Sequence, residues 1–254
     1  MKRFTSLFIV LCMVLMCCAL TGCNNPSVYE TVTDAINKTS SLDSMDAVME
    51  MKIDMTVQGV SVSLPIKYEM QASQAQSESP KMRIVMTMGT EEYMDMYLEG
   101  EWAYITSSGT SFKAKQSDMD SNMDTNSNTD QFLQLLPEDL INDTQFTSNN
   151  DGSKTLTVSV DGEQFSDLYN DIIESLSTSV GSIDASVEIS DAVVSITIKD
   201  GYITKYEMTF KMALEVSGTT AEASASASIV YNNPGQDVTV TAPEGYQNFP
   251  SLSQ

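Results

Sequence analysis

The fold is decided by a stretch in which apolar and polar residues alternate, MEMKIDMTVQGVSVSLPIKYEMQ at positions 49–71. Apolar side chains recur at every second position on both sides of Gly59, which interrupts the run. Because successive side chains of a β-strand point to opposite faces, this period of two predicts strands with one apolar and one polar face. The stretch therefore indicates an antiparallel sheet that is packed on one side and wet on the other.

The same alternation continues along most of the chain. It predicts further strands at 82–88, 94–98, 102–105, around Phe112, and at 156–160, 187–198, 203–216, 221–231 and 238–242. A polar stretch at 72–80 and the acidic segment 114–130 are predicted loops. Hairpins in series favour an α+β fold built on one long antiparallel sheet of about ten strands. They argue against Rossmann and TIM architectures, which need alternating strands and helices.

Three segments carry a helical period instead. Ser27-Val28-Tyr29-Glu30 has the pattern of a capping box, and apolar residues then follow in one stripe to Thr39. A second helix is predicted over 132–140, interrupted or restarted at Pro137, and a third over 165–180. The sheet is therefore expected to have about three helices to cover it.

The N-terminus has the features of an export signal. Basic residues precede an apolar run at 7–20, which is shorter than the ~20 residues of a membrane span but typical of a signal peptide. Leu20-Thr21-Gly22-Cys23 then matches the bacterial lipobox, in which a diacylglyceryl group is attached to the Cys and cleavage follows the Gly. An ordinary signal peptide with a chance Cys is the alternative. The pattern predicts a signal peptide at 1–22 and lipidation of Cys23, on the outer face of the cytoplasmic membrane.

The rest of the chain is interpreted as a single domain. The lipidated Cys and a short spacer at 23–26 precede a predicted domain at 27–243 and a tail at 244–254. Two domains divided near residue 120 are the alternative, but neither half would have enough helix to cover its sheet. Because the other cysteines leave with the signal peptide, no disulfide is expected and the domain must be held by its core.

Composition and motifs exclude several classes of function. Thirteen Lys and Arg stand against 35 Asp and Glu, a formal net charge of -22, so the phosphate neutralisation that drives nucleic-acid binding is not available. The chain has no His, which excludes Ser-His and Cys-His nucleophile pairs and His-ligated metals. Phosphate-binding glycine motifs are absent from the sequence as well. We therefore expect no nucleic-acid partner, no cofactor and no enzymatic activity.

Two acidic clusters are considered as sites and rejected. The segment 118–124 spaces its oxygen ligands like a calcium loop, but Met123 stands where the sharp turn needs Gly and Thr129 where a bidentate Glu is needed. A solvated loop is favoured, and a weak calcium contact stays open. Glu91-Glu92 and Asp95 lie near one hairpin, but neighbouring acids are frequent among 35 of them. The sequence predicts neither a metal site nor a catalytic residue.

Methionine is the unusual component of the predicted strands. Met is flexible and polarizable and accepts varied apolar partners, whereas strand cores normally prefer Val, Ile and aromatic residues. A concave face lined by Met would accept acyl chains, and a dry core filled by Met is the alternative. The candidate ligand-binding residues are six of these methionines: Met51, Met55, Met86, Met96, Met208 and Met212.

The layout of the chain resembles the lipoprotein-carrier superfamily typified by LolA, LppX and RseB, and also Gram-positive surface lipoproteins. The resemblance rests on the lipobox, the first helix, the long meander, the late helix and the closing hairpins, with Asp200-Gly201-Tyr202-Ile203 and Tyr231-Asn232-Asn233-Pro234. It covers most of residues 27–243 and implies a single curved sheet, an incomplete barrel, wrapped over helices with acyl chains between. It assigns no ligand-binding residue.

These observations lead to one functional hypothesis and one alternative. The hypothesis is a membrane-anchored, non-catalytic lipoprotein that binds an apolar or amphipathic ligand, a lipid, between sheet and helices. Its partners would be the membrane, through Cys23, and this ligand. The alternative is an envelope sensor or structural module that binds a protein partner, with the acidic segment 114–130 as a contact.

Overall fold

The chain forms one large antiparallel sheet. The computed structural model describes residues 26–57, 60–75, 77, 79–118, 136, 138–160, 162, 185–216 and 219–252. Within these residues, eleven strands belong to a single sheet. They are β1 (Ser44–Val57), β2 (Val60–Ser73), β3 (Lys81–Met88), β4 (Glu91–Glu99), β5 (Trp102–Ser107), β6 (Thr110–Lys115), β7 (Thr147–Ser148), β8 (Lys154–Val160), β9 (Ala185–Lys199), β10 (Tyr202–Val216) and β11 (Thr219–Tyr231). The predicted α+β class is confirmed, with eleven strands where about ten were expected.

The sheet joins two series of hairpins. Its order is β6-β5-β4-β3-β2-β1-β11-β10-β9-β8-β7, so strands pair with their neighbours in sequence except at the centre, where β1 pairs with β11. In that central pair Ala47 lies opposite Tyr231 and Met55 opposite Ala223. Over the described residues β6 and β7 are the two edges, and the sheet does not close into a barrel.

The turn predicted at Asp200-Gly201 connects β9 to β10. The two residues have φ angles of 53° and 79°, and a two-residue hairpin turn of type I′ needs positive φ at both positions. Gly adopts this conformation without steric cost and Asp tolerates it better than most residues. The local sequence therefore fixes this hairpin.

Helix α1 (Val28–Ser40) begins at the predicted capping box. The Ser27 Oγ accepts a hydrogen bond from the Glu30 amide at 3.0 Å, and the Glu30 carboxylate accepts one from the Ser27 amide at 2.7 Å. Both bonds satisfy amide groups that a helix N-terminus leaves without partners. The other regular helix within the described residues is short, α2 (Glu138–Asn142), and 3-10 turns lie at Gln116–Asp118 and Tyr246–Asn248.

The main core lies where α1 packs on β8, β9 and β10. Val32, Ala35 and Ile36 form the buried stripe of the helix. They belong to one core cluster with buried residues of the sheet, which are Leu156, Val158, Val160, Ile189, Ala192, Val194, Ile196, Ile198, Ile203 and Phe210. The C-terminal end of α1 is tied to the β9–β10 turn, because the Ile203 amide donates to Thr39 Oγ1 at 2.9 Å and Lys38 Nζ donates to the Asp200 carbonyl at 2.9 Å.

The predictions for two segments, a strand and a loop boundary, are wrong. The strand predicted at 238–242 is not formed, because both positions beside β11 are taken by β1 and β10. The segment instead lies beside the sheet, where Arg83 Nη1 donates to the Thr241 carbonyl at 3.1 Å. The predicted loop 114–130 begins later than expected, since Ala114 pairs with Ala103 in β6.

Several predicted segments lie outside the described residues. These are the signal peptide and Cys23, residues 119–130 of the acidic loop, and the helix predicted at 165–180. Of the second predicted helix, the structure describes Leu136 and the helical residues of α2. Among the described residues no helix has the length and hydropathy of a membrane span.

Candidate ligand-binding face

The apolar side chains of the central strands lie on one face of the sheet. Met51 lies opposite Ile66 of β2 on one side and opposite Ala227 of β11 on the other, so these three side chains share a face. Following the register outward assigns every methionine of the described strands to this same surface, which we call the apolar face. They are Met45, Met49, Met51, Met55, Met70, Met82, Met86, Met88, Met94, Met96, Met208 and Met212.

The opposite surface, the polar face, carries the charges of the same strands. Lys52 pairs with Asp54 at 2.8 Å, Lys67 with Glu69 at 2.7 Å, and Lys205 with Glu207 at 2.7 Å, each pair two residues apart along one strand. The serines of β11 lie there too, since Ser226 is opposite Lys52. The division into two faces that the alternating sequence predicts is therefore present across the sheet.

The centre of the apolar face is lined by small side chains. Ala223, Ala225 and Ala227 of β11 lie in a row between two strands with larger residues. On the β1 side the neighbours are Met51, Ile53 and Met55, and on the β10 side they are Met208, Phe210 and Met212. Ala223 is buried and Ala225 packs against the main core, whereas Ala227 is half-buried opposite Met51. The alternating Ala and Ser of residues 223–228 is the sequence signal for this row of small side chains.

The six candidate methionines occupy three different environments. Met96 is 2% exposed and belongs to a second, smaller core cluster with Ala103 and Ile105. Met208 and Met212 pack against the main core under α1. Met51, Met55 and Met86 are half-buried and belong to neither cluster. The structure thus brings all six to one face but leaves only the last three between the two cores.

The larger apolar residues beside them were not among the sequence candidates. Ile53, Ile66 and Tyr68 are half-buried on the same face, and Leu64 and Val62 are exposed there. Their period-two spacing was the signal for a strand. Sequence alone gave no reason to separate accessible from packed positions, because burial depends on what covers each strand.

The carboxylates considered as acid and base are not arranged as a catalytic pair. Asp95 is buried on the polar face and accepts two hydrogen bonds from Arg83, from Nε at 3.0 Å and from Nη2 at 2.8 Å. This pairing raises the pKa of Arg83 and occupies both oxygens of the carboxylate. Glu91 and Glu92 are exposed. Among the described residues no three His, Cys, Asp or Glu side chains are placed to hold a metal ion.

The polar face near β4 and β5 is covered by the C-terminal tail. The Tyr246 ring contacts Tyr97 and Tyr104 edge to face, with centroids 5.1 and 4.8 Å apart. Its hydroxyl donates to the Glu99 carboxylate at 2.9 Å, and Lys81 pairs with the same carboxylate at 2.7 Å. Lys81 and then Tyr246 lower the pKa of Glu99. Within the part of the chain that the structure describes, the tail predicted at 244–254 thus packs on the polar face through Tyr246.

The fold and the site define a class of protein. Its sheet is open and antiparallel, and a helix packs on one part of a methionine-rich apolar face. The chain belongs to a family of unknown function, DUF6612, whose model matches residues 27–244. No curated protein sequence matches it.

Several solved structures are similar in fold. The lipoprotein LppX of Mycobacterium tuberculosis matches with a TM-score of 0.37 and 11% identity, over 86% of this chain and 100% of its own. A LolA superfamily protein from Nitrosomonas europaea has a TM-score of 0.26 and 7% identity, over 84% and 96% of the two chains. An outer membrane lipoprotein-sorting protein domain from Vibrio parahaemolyticus has a TM-score of 0.23 and 9% identity, over 82% and 93%.

Proposed function

We propose that this protein is an extracytoplasmic lipoprotein, anchored through Cys23, that binds a lipid on its apolar face without catalysing a reaction. The observation that carries the proposal is the partial burial of Met51, Met55 and Met86. They lie on a continuous apolar surface, between two packed cores, and are only half-buried. Contiguous exposed apolar patches of soluble proteins mark interaction sites, and this surface continues into the exposed side chains of Val60, Val62 and Leu64.

The energetics of burial indicate what kind of ligand this face would hold. Each methylene group removed from water contributes about 0.8 kcal/mol. Association itself costs at least about 4 kcal/mol in lost translational and rotational freedom. A small apolar molecule would therefore bind weakly, whereas a long acyl chain laid across Met51, Met55 and Met86 would bind well. These unbranched side chains would adjust to its shape.

The polar groups near this face support binding rather than chemistry. Asp95 is paired with Arg83 on the opposite face, and the alternating register keeps the charges of β1 away from the apolar side chains. The side chains described on the apolar face in β1, β2, β3 and β11 are Met, Ile, Leu, Val and Ala with two tyrosines, Tyr68 and Tyr231, and none of them is a carboxylate, Lys or Cys.

The proposal is tested by purifying residues 24–254, which contain every described helix and strand, and examining them by native mass spectrometry. We expect a bound species of defined mass that organic extraction releases as a lipid. A protein that is empty as isolated, and stays empty after incubation with lipid extract from the source cells, would contradict the proposal. That result would favour the alternative of a module that binds a protein partner.

Met51→Gln is the variant that tests the position of the ligand. Gln is close to Met in size but places an amide against the acyl chain, which costs about a tenfold loss of affinity. The control is Met51→Leu, which keeps an apolar side chain of similar volume and should stay within about twofold of the native protein. Affinity is measured with a fluorescent long-chain fatty acid. Equal affinities for the two variants would place the ligand elsewhere.

A further inference from the structure

The apolar face opens to solvent toward one end of the sheet. Along β2 the apolar-face positions change from buried to exposed as the strand approaches its hairpin with β1. Ala72 is 3% exposed, Leu64 37%, Val62 52% and Val60 65%. The register keeps all of them on the apolar face, because Leu64 lies opposite Ile53, Val62 opposite Met55 and Val60 opposite Val57. We call Val60, Val62 and Leu64 the open end of the face.

The open end is also free of ionisable residues in a strongly acidic chain. Residues 55–65, MTVQGVSVSLP, contain no charged side chain, although the chain has a net charge of -22. In the strands that pair with this hairpin, Asp54 is paired with Lys52 at 2.8 Å and Glu222 lies opposite Thr56. Both belong to the polar face by register. Glu91, in the β3–β4 hairpin beside Pro65, lies opposite Met88 and is exposed. Val60, Val62 and Leu64 can therefore enter an apolar environment while these carboxylates stay in water.

Polar groups at the hairpin also face away from the open end. Thr56 and Ser61 share a hydrogen bond between their hydroxyl oxygens at 3.1 Å on the polar face. One side of the hairpin thus presents branched aliphatic side chains and the other presents hydroxyl groups. A segment with these two sides suits the boundary between lipid headgroups and acyl chains, where apolar side chains are buried about 5–10 Å deep.

We propose that the open end, Val60, Val62 and Leu64, inserts into the surface of a phospholipid bilayer and passes an acyl chain between the bilayer and the apolar face. This inference rests on the proposed lipid-binding function and names the surface through which the ligand is exchanged. The bilayer is the source of the same acyl chains that the face would hold, and the open end is continuous with that face. A second copy of this chain would bring two strongly acidic bodies together, which their mutual repulsion opposes.

The test uses residues 24–254 without the acyl anchor and vesicles of phosphatidylcholine at 0.15 M salt. Val62→Asp places a carboxylate in the open end, and Ser63→Asp places the same charge one residue further, on the polar face of the same strand. We expect the native protein to co-float with vesicles, Val62→Asp to lose at least tenfold in partitioning, and Ser63→Asp to stay within about threefold. Equal losses for both variants, no loss for either, or no flotation of the native protein would overturn the inference.

A second measurement reports the contact directly. Trp102 is the one Trp of the chain and lies in β5, so Trp102→Phe gives a background without tryptophan fluorescence. In that background the tryptophan fluorescence of the Val62→Trp variant should shift to shorter wavelength when vesicles are added. Brominated phosphatidylcholine in the vesicles should quench it. Ser63→Trp in the same background should be quenched at least threefold less. Equal quenching at both positions would overturn the inference, because the contact would then not be made by the apolar face.

Failure of this inference can be told apart from failure of the lipid-binding function. Val62→Asp should still bind a fatty acid that is supplied in solution, because Met51 and Met86 are unchanged, but should take it up from vesicles at least tenfold more slowly. Uptake from vesicles at the native rate would overturn the role of the open end and leave lipid binding standing. If neither protein binds fatty acid from any source, the proposed function fails, and with it the exchange of ligand through this end.

Discussion

At the scale of single residues, the ion pair between Arg83 and Asp95 differs from the others in the described structure. Asp95 is 7% exposed, whereas both partners of the Lys52–Asp54 pair are about half exposed. Taking a carboxylate out of water is costly unless its oxygens are paired, and the two parallel hydrogen bonds from Arg83 supply that pairing. The bond from Arg83 to the Thr241 carbonyl also ties the segment 238–242 to β3.

Arg83→Met should therefore destabilise the protein by about 3 kcal/mol, because it leaves Asp95 buried without a partner. The free energy of unfolding is measured by urea denaturation. Lys52→Met, which removes an exposed pair, serves as the control and should cost less than about 1 kcal/mol. The double variant Arg83→Met/Asp95→Leu should recover part of the loss. If Arg83→Met costs no more than the control, the pair does not stabilise the fold.

Asp151, in the β7–β8 turn, gives the clearest expected dependence on pH. Its carboxylate accepts hydrogen bonds from the Ser153 hydroxyl at 2.6 Å and from the Ser153 amide at 3.1 Å, and it pairs with Lys199 at 3.3 Å. These contacts, the Ser153 hydroxyl first, lower the pKa of Asp151 from 3.8 to about 2. A carboxylate whose pKa is lower in the folded state stabilises the fold above its unfolded pKa. That contribution is lost as the pH falls from about 4 through about 2.

Ser153→Ala should move the pKa of Asp151 upward, toward 3.8, because it removes the largest cause of the shift. The measurement is an NMR titration of the Asp151 carboxyl carbon. Lys199→Met should raise the pKa less, since Lys199 contributes less than Ser153. Below pH 4 the native protein should lose more stability than Ser153→Ala does. A pKa that does not change in Ser153→Ala would show that the hydrogen bonds seen here do not control this group.

At the scale of secondary-structure elements, the two ends of the described chain stabilise opposite faces of the sheet. Helix α1 covers β8 to β10 on the apolar face, and the tail covers β4 and β5 on the polar face. The tail also pairs with the edge strand β6, since the Lys113 amide donates to the Pro250 carbonyl at 2.8 Å and the Leu252 amide donates to the Lys113 carbonyl at 2.9 Å. An edge strand covered in this way is protected against pairing with another molecule.

Tyr246→Ala should destabilise the protein by about 2 kcal/mol, because it removes two edge-to-face ring contacts and the bond to Glu99. Tyr246→Phe keeps the rings and should cost only about 1 kcal/mol, the contribution of one hydrogen bond. Gln247→Ala, at an exposed position of the same turn, is the matched control and should have little effect. Unfolding is measured by thermal and urea denaturation. A native-like Tyr246→Ala protein would mean that the tail is not part of the folded unit.

At the scale of the whole molecule, charge and the proposed anchoring would act together. The net charge of -22 would become -24 on removal of the predicted signal peptide, which contains Lys2 and Arg3. Such a body is repelled by an anionic leaflet. An acylated Cys23 would hold it close to the membrane against this repulsion, since the two acyl chains of a diacylglyceryl group are what stable anchoring requires.

Cys23→Ser should therefore release the protein into the medium or leave an uncleaved precursor, because Ser has no thiol to carry the acyl group. Cys18→Ser, a change within the predicted signal peptide, is the control and should leave the protein membrane-bound. The distribution is measured by fractionating cells and comparing the mass of the protein in each fraction. A processed Cys23→Ser protein that stays with the membrane would refute the lipobox.

The sequence by itself determined most of the strands, their two faces and the start of α1. These features are local: the period of two at 49–71 assigns each side chain to a face, Asp200-Gly201 fixes a turn, and Ser27 with Glu30 caps a helix. Each depends on backbone geometry within a few residues, so no long-range contact is needed to predict it. The six candidate methionines were assigned to one face for the same reason.

Only the tertiary structure decided which parts of that face are packed. The pairing of β1 with β11 joins segments far apart in the chain, and it is this pairing that sets the alanine row of β11 beside Met51. The same pairing excludes the strand predicted at 238–242, because β11 has no position left beside it. Burial of Met96 and exposure of Val62 likewise depend on which elements cover each strand. Such contacts arise between distant residues, and an alternating pattern contains no information about them.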